Sequence, residues 1–160
     1  GLSGTVDKET QLTICAKNNV VIAGDTIYER NADNSRMDQQ GILGILSENG
    51  QVHIDYPDPV GKTVNIDASI MATSETGSGI LKALDYNRAL NKPAINLYGG
   101  VIQYYYGAVG SGADGGYKRN FVYDPRLKYS QPPLYPKQAA CRMQLQNENK
   151  GNTLQLVWEY

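Results

Sequence analysis

Histidine, cysteine, phenylalanine, tryptophan and helix-forming patterns are all scarce in this 160-residue chain, and each scarcity removes a class of function. There is one histidine, His53, and two cysteines, Cys15 and Cys141. Neither cysteine has a CxxC partner and His53 completes no zinc set with them, so no metal site is expected. No apolar run approaches the roughly 18 residues that a membrane-crossing helix needs, and no secretory signal is visible. The first residue is Gly rather than Met, which fits a chain trimmed of an N-terminal anchor. The Gly-rich stretch 107–116 contains neither GxxxxGK[ST] nor a GxGxxG that opens a helix, which argues against a phosphate cradle and for a plain loop. No cofactor and no catalytic residue are therefore expected.

What is abundant is tyrosine and glycine: 12 Tyr against a single Phe121 and a single Trp158, with 17 Gly. Tyrosine buries its ring and keeps its hydroxyl wet, so this balance fits an exposed β protein. The net charge of −1 conceals an asymmetry. Residues 1–116 hold 8 Lys/Arg against 13 Asp/Glu, and residues 117–160 hold 7 against 3. The basic end suits either an anionic partner or the acidic body of its own chain. Cys15 and Cys141 lie too far apart in sequence for a pairing to be deduced, and unpaired thiols are the simpler reading.

The chain repeats itself at long intervals. Ile14-Cys15-Ala16-Lys17-Asn18 is echoed by Ile45-Leu46-Ser47-Glu48-Asn49, 31 residues later. A second phrase begins at Val20, at Val64 and at Ile95. Val64, Ile66, Ala68, Ile70 and Ala72 alternate with Asn65, Asp67, Ser69, Met71 and Thr73, the pattern of a strand with one buried face and one wet face. Aligned on this phrase, Ile22, Ile66 and Leu97 share one inner column, and Gly24, Ala68 and Gly99 form a column of small residues suited to a bend. Tyr28 and Gln103 fit the inner row poorly. Loops are expected at 29–40 and 55–61, a two-turn helix at 79–86, and a last strand at 153–160. Long-period repetition of short strands implies stacked turns sharing one core. The expected fold is all-β: a short right-handed parallel β-helix (solenoid) of about three to four coils with a Pro/Tyr-rich C-terminal segment. One domain spans 1–160, with the repeat at about 10–106 and a C-terminal capping extension at 107–160.

Few residues carry chemistry. Asp25, Glu29 and Asp67 fall on the expected outer face, where two carboxylates on neighbouring turns would suit glycoside chemistry and otherwise form a solvated surface. Tyr104, Tyr105 and Tyr106 either stack on sugars or bases or pack beneath the segment that follows. Lys118, Arg119, Arg126, Lys128, Lys137 and Arg142 either meet phosphates or are ordinary surface charge. Asp124 and Arg126 flank Pro125 at a spacing that suits a local ion pair. The candidate ligand or DNA contacts are thus Lys118, Arg119, Arg126, Lys128, Tyr104 and Tyr106.

Several blocks taken in order resemble one bacterial family: Gly24-Asp25-Thr26-Ile27-Tyr28-Glu29, Leu43-Gly44-Ile45-Leu46-Ser47-Glu48-Asn49, Ala68-Ser69-Ile70-Met71-Ala72, Leu97-Tyr98-Gly99-Gly100-Val101-Ile102-Gln103, Tyr123-Asp124-Pro125-Arg126-Leu127 and Pro132-Pro133-Leu134-Tyr135-Pro136. They are similar to the β-solenoid domain of PilX-like, type IV pilus-associated proteins, a group that includes a competence-related minor pilin. The resemblance covers roughly 19–136. It implies a non-enzymatic structural, adhesion or display module at the bacterial cell surface, attached to the membrane only through an N-terminal helix absent from this chain. The implied partners are pilus or cell-envelope proteins, with DNA or surface glycans as ligands. A carbohydrate-active β-helix fragment and a DNA-binding module for uptake are the alternatives.

Overall fold

The computed structural model describes residues 1–33, 40–55, 63–76, 79–84, 86, 94–110, 116–136, 140–148 and 151–159, the last two spans by their backbone. The fold is all-β with a parallel sheet. The strands are β1 (Leu2–Val6), β2 (Gln11–Ala16), β3 (Val20–Tyr28), β4 (Ile42–Ser47), β5 (Val52–Ile54), β6 (Val64–Ala72), β7 (Leu81–Ala83), β8 (Ala94–Gln103), β9 (Lys118–Tyr123), β10 (Ala140–Glu148) and β11 (Gly151–Glu159). A 3-10 turn, Pro125–Lys128, follows β9. Strands β1 to β9 form one sheet, while β10 and β11 form a separate antiparallel hairpin.

Every named pairing within the nine-stranded sheet is parallel, and no strand pairs with its immediate predecessor until β9 joins β8. Three ladders result. One runs β1-β3-β6-β8-β9, a second runs β2-β4-β6-β8, and a third runs β3-β5-β7. The long strands are shared between ladders. Near its start β6 pairs with β3, at Thr26 and Ile66, and over Ser69 to Ala72 it pairs with β4. The β6–β8 register holds for nine consecutive pairs, from Val64 with Ile95 to Ala72 with Gln103.

This register stacks like on like. Ile14 lies level with Ile45, Ile45 with Ile70, and Ile70 with Val101. The inner residues Val64, Ile66, Ala68, Ile70 and Ala72 are fully buried and belong to one hydrophobic cluster. Each large aliphatic side chain there contributes about 1.5–3 kcal/mol by leaving water. Tyr28 and Gln103 do fit their inner positions. Tyr28 is buried in the core while its hydroxyl accepts a hydrogen bond from the Leu43 amide at 3.1 Å. The Gln103 Oε1 accepts from the Leu81 amide at 2.9 Å.

Three sequence expectations need correction. Ile66 and Leu97 are partners, but Ile22 pairs with Ile54 on another ladder, and Thr26 takes the place next to Ile66. The first copy of the phrase is therefore displaced by four residues, and Gly24 leaves the column of small residues. A slip by an even number preserves which side chains face inward, so alternation alone does not detect it. The expected helix at 79–86 is instead strand β7, because Leu81–Ala83 completes the ladder begun by Val20–Ile22 and Val52–Ile54. The outer face of β6 is not wet: Asp67, Ser69 and Met71 are all buried. The loop residues 34–39, 56–61 and 111–115 lie outside the described residues. The expected last strand is present as β11, and it pairs antiparallel with β10. The parallel sheet itself extends from Leu2 to Tyr123.

Gly99 is required by close approach. A Cβ there would stand 1.8 Å from the Ala68 carbonyl oxygen of the strand alongside, whereas one at Gly100 would meet the Leu127 side-chain tip at 3.3 Å and Ser69 Oγ at 3.9 Å. Gly99→Ala is expected to lower unfolding free energy in urea by about 3 kcal/mol, while Gly100→Ala stays within about 0.5 kcal/mol of the parent.

Candidate functional site

The outward residues of the first ladder form a polar row. Because Thr26 is level with Ile66, Asp25 lies beside Asn65, followed by Asn96 and Asn120 on the next two strands. The side chains bond along the stack. Asn65 Nδ2 donates to Asp25 Oδ2 at 3.0 Å, Asn96 Nδ2 to Asn65 Oδ1 at 2.9 Å, and Asn120 Nδ2 to Asn96 Oδ1 at 3.1 Å. Asp25 Oδ1 also accepts from the Asn65 amide at 2.8 Å. An amide carries both a donor and an acceptor, so identical amides one strand apart satisfy one another. The ladder is signalled in the sequence by apolar-Asn-apolar triplets at Val64-Asn65-Ile66 and Ile95-Asn96-Leu97, while Asn120, between Arg119 and Phe121, lacks the full pattern.

This row lines a cleft of about 470 Å³ together with Arg30, Asp67 and Tyr98. Asp67 is buried, and its Oδ2 accepts from the Arg30 guanidinium and from the Tyr28 amide at 3.1 Å. Asp25 and Asp67 are thus two residues apart along the strand direction, each engaged by different partners. Asp67 is buried under Arg30 rather than solvated, contrary to its expected place on a wet face.

A second cleft of about 450 Å³ lies where the Pro-rich segment crosses the sheet. Tyr135 donates from its hydroxyl to the Ser69 carbonyl at 3.0 Å, and Thr13 Oγ1 donates to the Pro133 carbonyl. Gly44 permits this strap: a Cβ there would sit 2.7 Å from Pro132 Cβ and 2.9 Å from Tyr135 Cε2. The strap explains the burial of Ser69 and Met71. Burial pushes the Tyr135 phenol up to about 12, against the lesser pull of its bond to Ser69. Burial likewise raises Tyr28.

The expected ion pair is present. Buried Asp124 accepts from Arg126 Nη2 at 2.6 Å and from the Arg126 amide at 3.0 Å, capping the 3-10 turn. Arg126 also donates to the Gly41 carbonyl at 3.1 Å, and its guanidinium lies 4.9 Å from the Tyr28 ring centre. Burial alone would lower the Arg126 pKa; the bonds and charge of Asp124 outweigh it and raise the value. Among the candidate contact residues, Arg126 is therefore committed to its own fold.

The other candidates separate into two places. Arg119 stacks on Tyr106, with its guanidinium carbon 4.8 Å from the ring centre, and Lys118 adjoins it on β9. Lys128 is exposed at the second cleft, 5.3 Å from the Tyr129 ring. Tyr104, Tyr105 and Tyr106 are exposed instead of packing beneath the following segment. Lys137 and the side chain of Arg142 lie outside the described residues. Cys15 is free and exposed on β2. Burial and nearby Lys82 lower the pKa of His53, whose Nε2 lies 2.7 Å from Gln51 Oε1. Among the described residues, no three His, Cys, Asp or Glu side chains converge to hold a metal ion, and no helix is long and apolar enough to cross a membrane. Comparison with family models, curated proteins and solved structures finds no match to the chain.

The strap generates a pH dependence. A phenol whose folded value lies above its unfolded value of 10.0 stabilises fully below that pH, and the contribution is lost as pH rises toward about 12. Tyr135→Phe is expected to cost about 1–2 kcal/mol at neutral pH, and to flatten the decline of the urea midpoint through that alkaline window. Parallel urea titrations of both proteins at neutral and alkaline pH check both expectations.

Proposed function

We propose that this chain is a short right-handed parallel β-solenoid of three to four coils, a single domain that serves as a non-enzymatic display or adhesion module of a type IV pilus-associated or cell-envelope protein at the bacterial surface. The observation that carries this reading is the unbroken parallel register of nine pairs between β6 and β8, repeated at the same 31-residue spacing between β2 and β4. Parallel return of strand after strand, with no helix among the described residues of the connections between β1 and β9, is how stacked coils bury a shared core. Such a stack is stiff and tolerates loop insertions at its edges, which suits a part that projects from an envelope. The polar cleft supports a structural role over catalysis, since its amides and carboxylates bond to one another and to Arg30. Antibody against this domain should label intact cells that express the full-length protein, and external protease should remove the label. Labelling that requires permeabilised cells would end the reading.

A second reading, recognition of DNA at that surface, draws on one contact: the Arg119 guanidinium stacked on Tyr106 beside Lys118. A stacked cation next to a second one suits phosphate contact alongside base stacking. The isolated domain should then retard single- or double-stranded DNA at low salt, and the Lys118→Ala, Arg119→Ala double variant should weaken retention severalfold with a shallower salt slope. Absence of retention at low salt removes this reading and leaves the first intact.

A further inference from the structure

Strand β9 ends the sheet with a bare edge. It pairs with β8 on one side, and among the described residues no strand pairs with the other. The neighbour fixes which backbone groups face outward. In a parallel ladder alternate residues turn both their N–H and C=O groups toward the same strand. The Asp124 amide donates to the Gly99 carbonyl of β8 at 3.0 Å, so Asn120 and Val122 also turn toward β8. Arg119, Phe121 and Tyr123 turn their backbone groups away from it. All of β9 is exposed, Phe121 and Tyr123 by 43% and 60%. A row of unpaired backbone groups is a template for another strand, and natural sheets blunt such edges with proline, bulges or cover. Strand β1 breaks register between Leu2 and Gly4, and the β7 edge gives its Ala83 amide to the Ala108 carbonyl. Strand β9 has no proline, and its register with β8 is unbroken from Lys118 to Tyr123.

We infer that two copies of this chain pair edge to edge through β9, antiparallel about a two-fold axis at Phe121. The strand is complementary to itself in this register. Phe121 stands opposite Phe121 of the second copy, and Arg119 opposite its Tyr123. Every outward-turned residue then meets another and exchanges both backbone bonds with it. The charges select the same orientation. Both cations of β9, Lys118 and Arg119, lie at its start. A parallel in-register copy would set cation beside cation, which is destabilising. The antiparallel copy sets Arg119 across from an aromatic ring and Lys118 level with Asp124, so no cation faces a cation. The axis also brings together two Phe121 rings that otherwise meet water, extending the row level with buried Ile95 and Leu97. A patch that pairs with itself closes the assembly at two copies. So short an edge makes a weak dimer, whose population rises with concentration. The inference does not rest on the surface-display reading, and its failure leaves that reading as it stands.

Sedimentation velocity under reducing conditions, which keep the free Cys15 from cross-linking copies, should show a monomer–dimer equilibrium as concentration rises. Phe121→Lys and Phe121→Glu should each raise the dissociation constant about tenfold or more, because the axis sets each new charge against its own copy. An equal mixture of the two variants should dimerise again. Leu12→Glu, on the exposed part of β2, should dimerise as the parent does. Circular dichroism of each variant establishes that the sheet is retained. Should the charged variants fail to fold, amide hydrogen exchange of the parent decides the matter. The amides of Arg119, Phe121 and Tyr123 should exchange rapidly in dilute protein and slow severalfold as the dimer forms, while those of Asn120 and Val122 stay protected throughout. A parent that is monomeric at every concentration would overturn the inference. So would charged variants that dimerise alone, a mixture that does not recover, or slowed exchange confined to other strands.

Discussion

Parallel in-register stacking of side chains is the constraint on which the rest of this structure depends. In a parallel ladder each residue lies directly beside its equivalent on the next strand, so chemistry that suits one level must suit the level above. Inside, this produces aliphatic columns such as Ile14, Ile45, Ile70 and Val101. Outside, it produces the Asp25, Asn65, Asn96 and Asn120 row, where each amide donates to the one before it. Between β6 and β8 it demands a residue without a side chain, because Gly99 lies against the Ala68 carbonyl. One geometric rule thus accounts for the core, the polar row and the close approach.

On the outer side of β6, away from the aliphatic core, Ser69 and Met71 need a cover of their own to be buried. The segment after β9 addresses this. Asp124 caps the 3-10 turn and fixes Arg126, which reaches the Gly41 carbonyl and the Tyr28 ring. Beyond the turn, Tyr135 and Pro132 settle on Ser69 and against Gly44. Tyr28, Gly41, Gly44 and Ser69 are thus tied to one segment through Arg126, Pro132 and Tyr135. The basic character of 117–160 is therefore partly consumed within the fold, and charge count alone overstates what is free to meet a partner.

Alternation identified the inner residues of β3 and β6 correctly, because burial on a strand has a period of two and large aliphatics mark it plainly. The Ile14 and Ile45 echo also gave a true register, since that copy is fixed by several consecutive matches. The register of β3 was not legible: a displacement by four residues leaves the inward set unchanged, and only the hydrogen-bonded pairing of Thr26 with Ile66 resolves it. Strand β7 was hidden for a different reason. Leu81-Lys82-Ala83 is short and helix-compatible, and tertiary pairing overrides that local preference. The burial of Asp67 and Ser69 was equally hidden, because both are covered by residues remote in sequence, Arg30 and Tyr135.

The distribution of satisfied bonds also bears on where this molecule can act. In the larger cleft the carboxylates and amides are already paired, so a ligand entering there competes with existing protein bonds for each new one. At the corner formed by Tyr106 and β9, the surface is aromatic and cationic, and its ring faces meet solvent. Cation and ring together retain binding capacity at a small desolvation cost, because the guanidinium is weakly hydrated and stacking leaves its edge donors available. The polar groups are thus bonded to one another along the outer row of the sheet, and the exposed cation–ring contact lies beside β9.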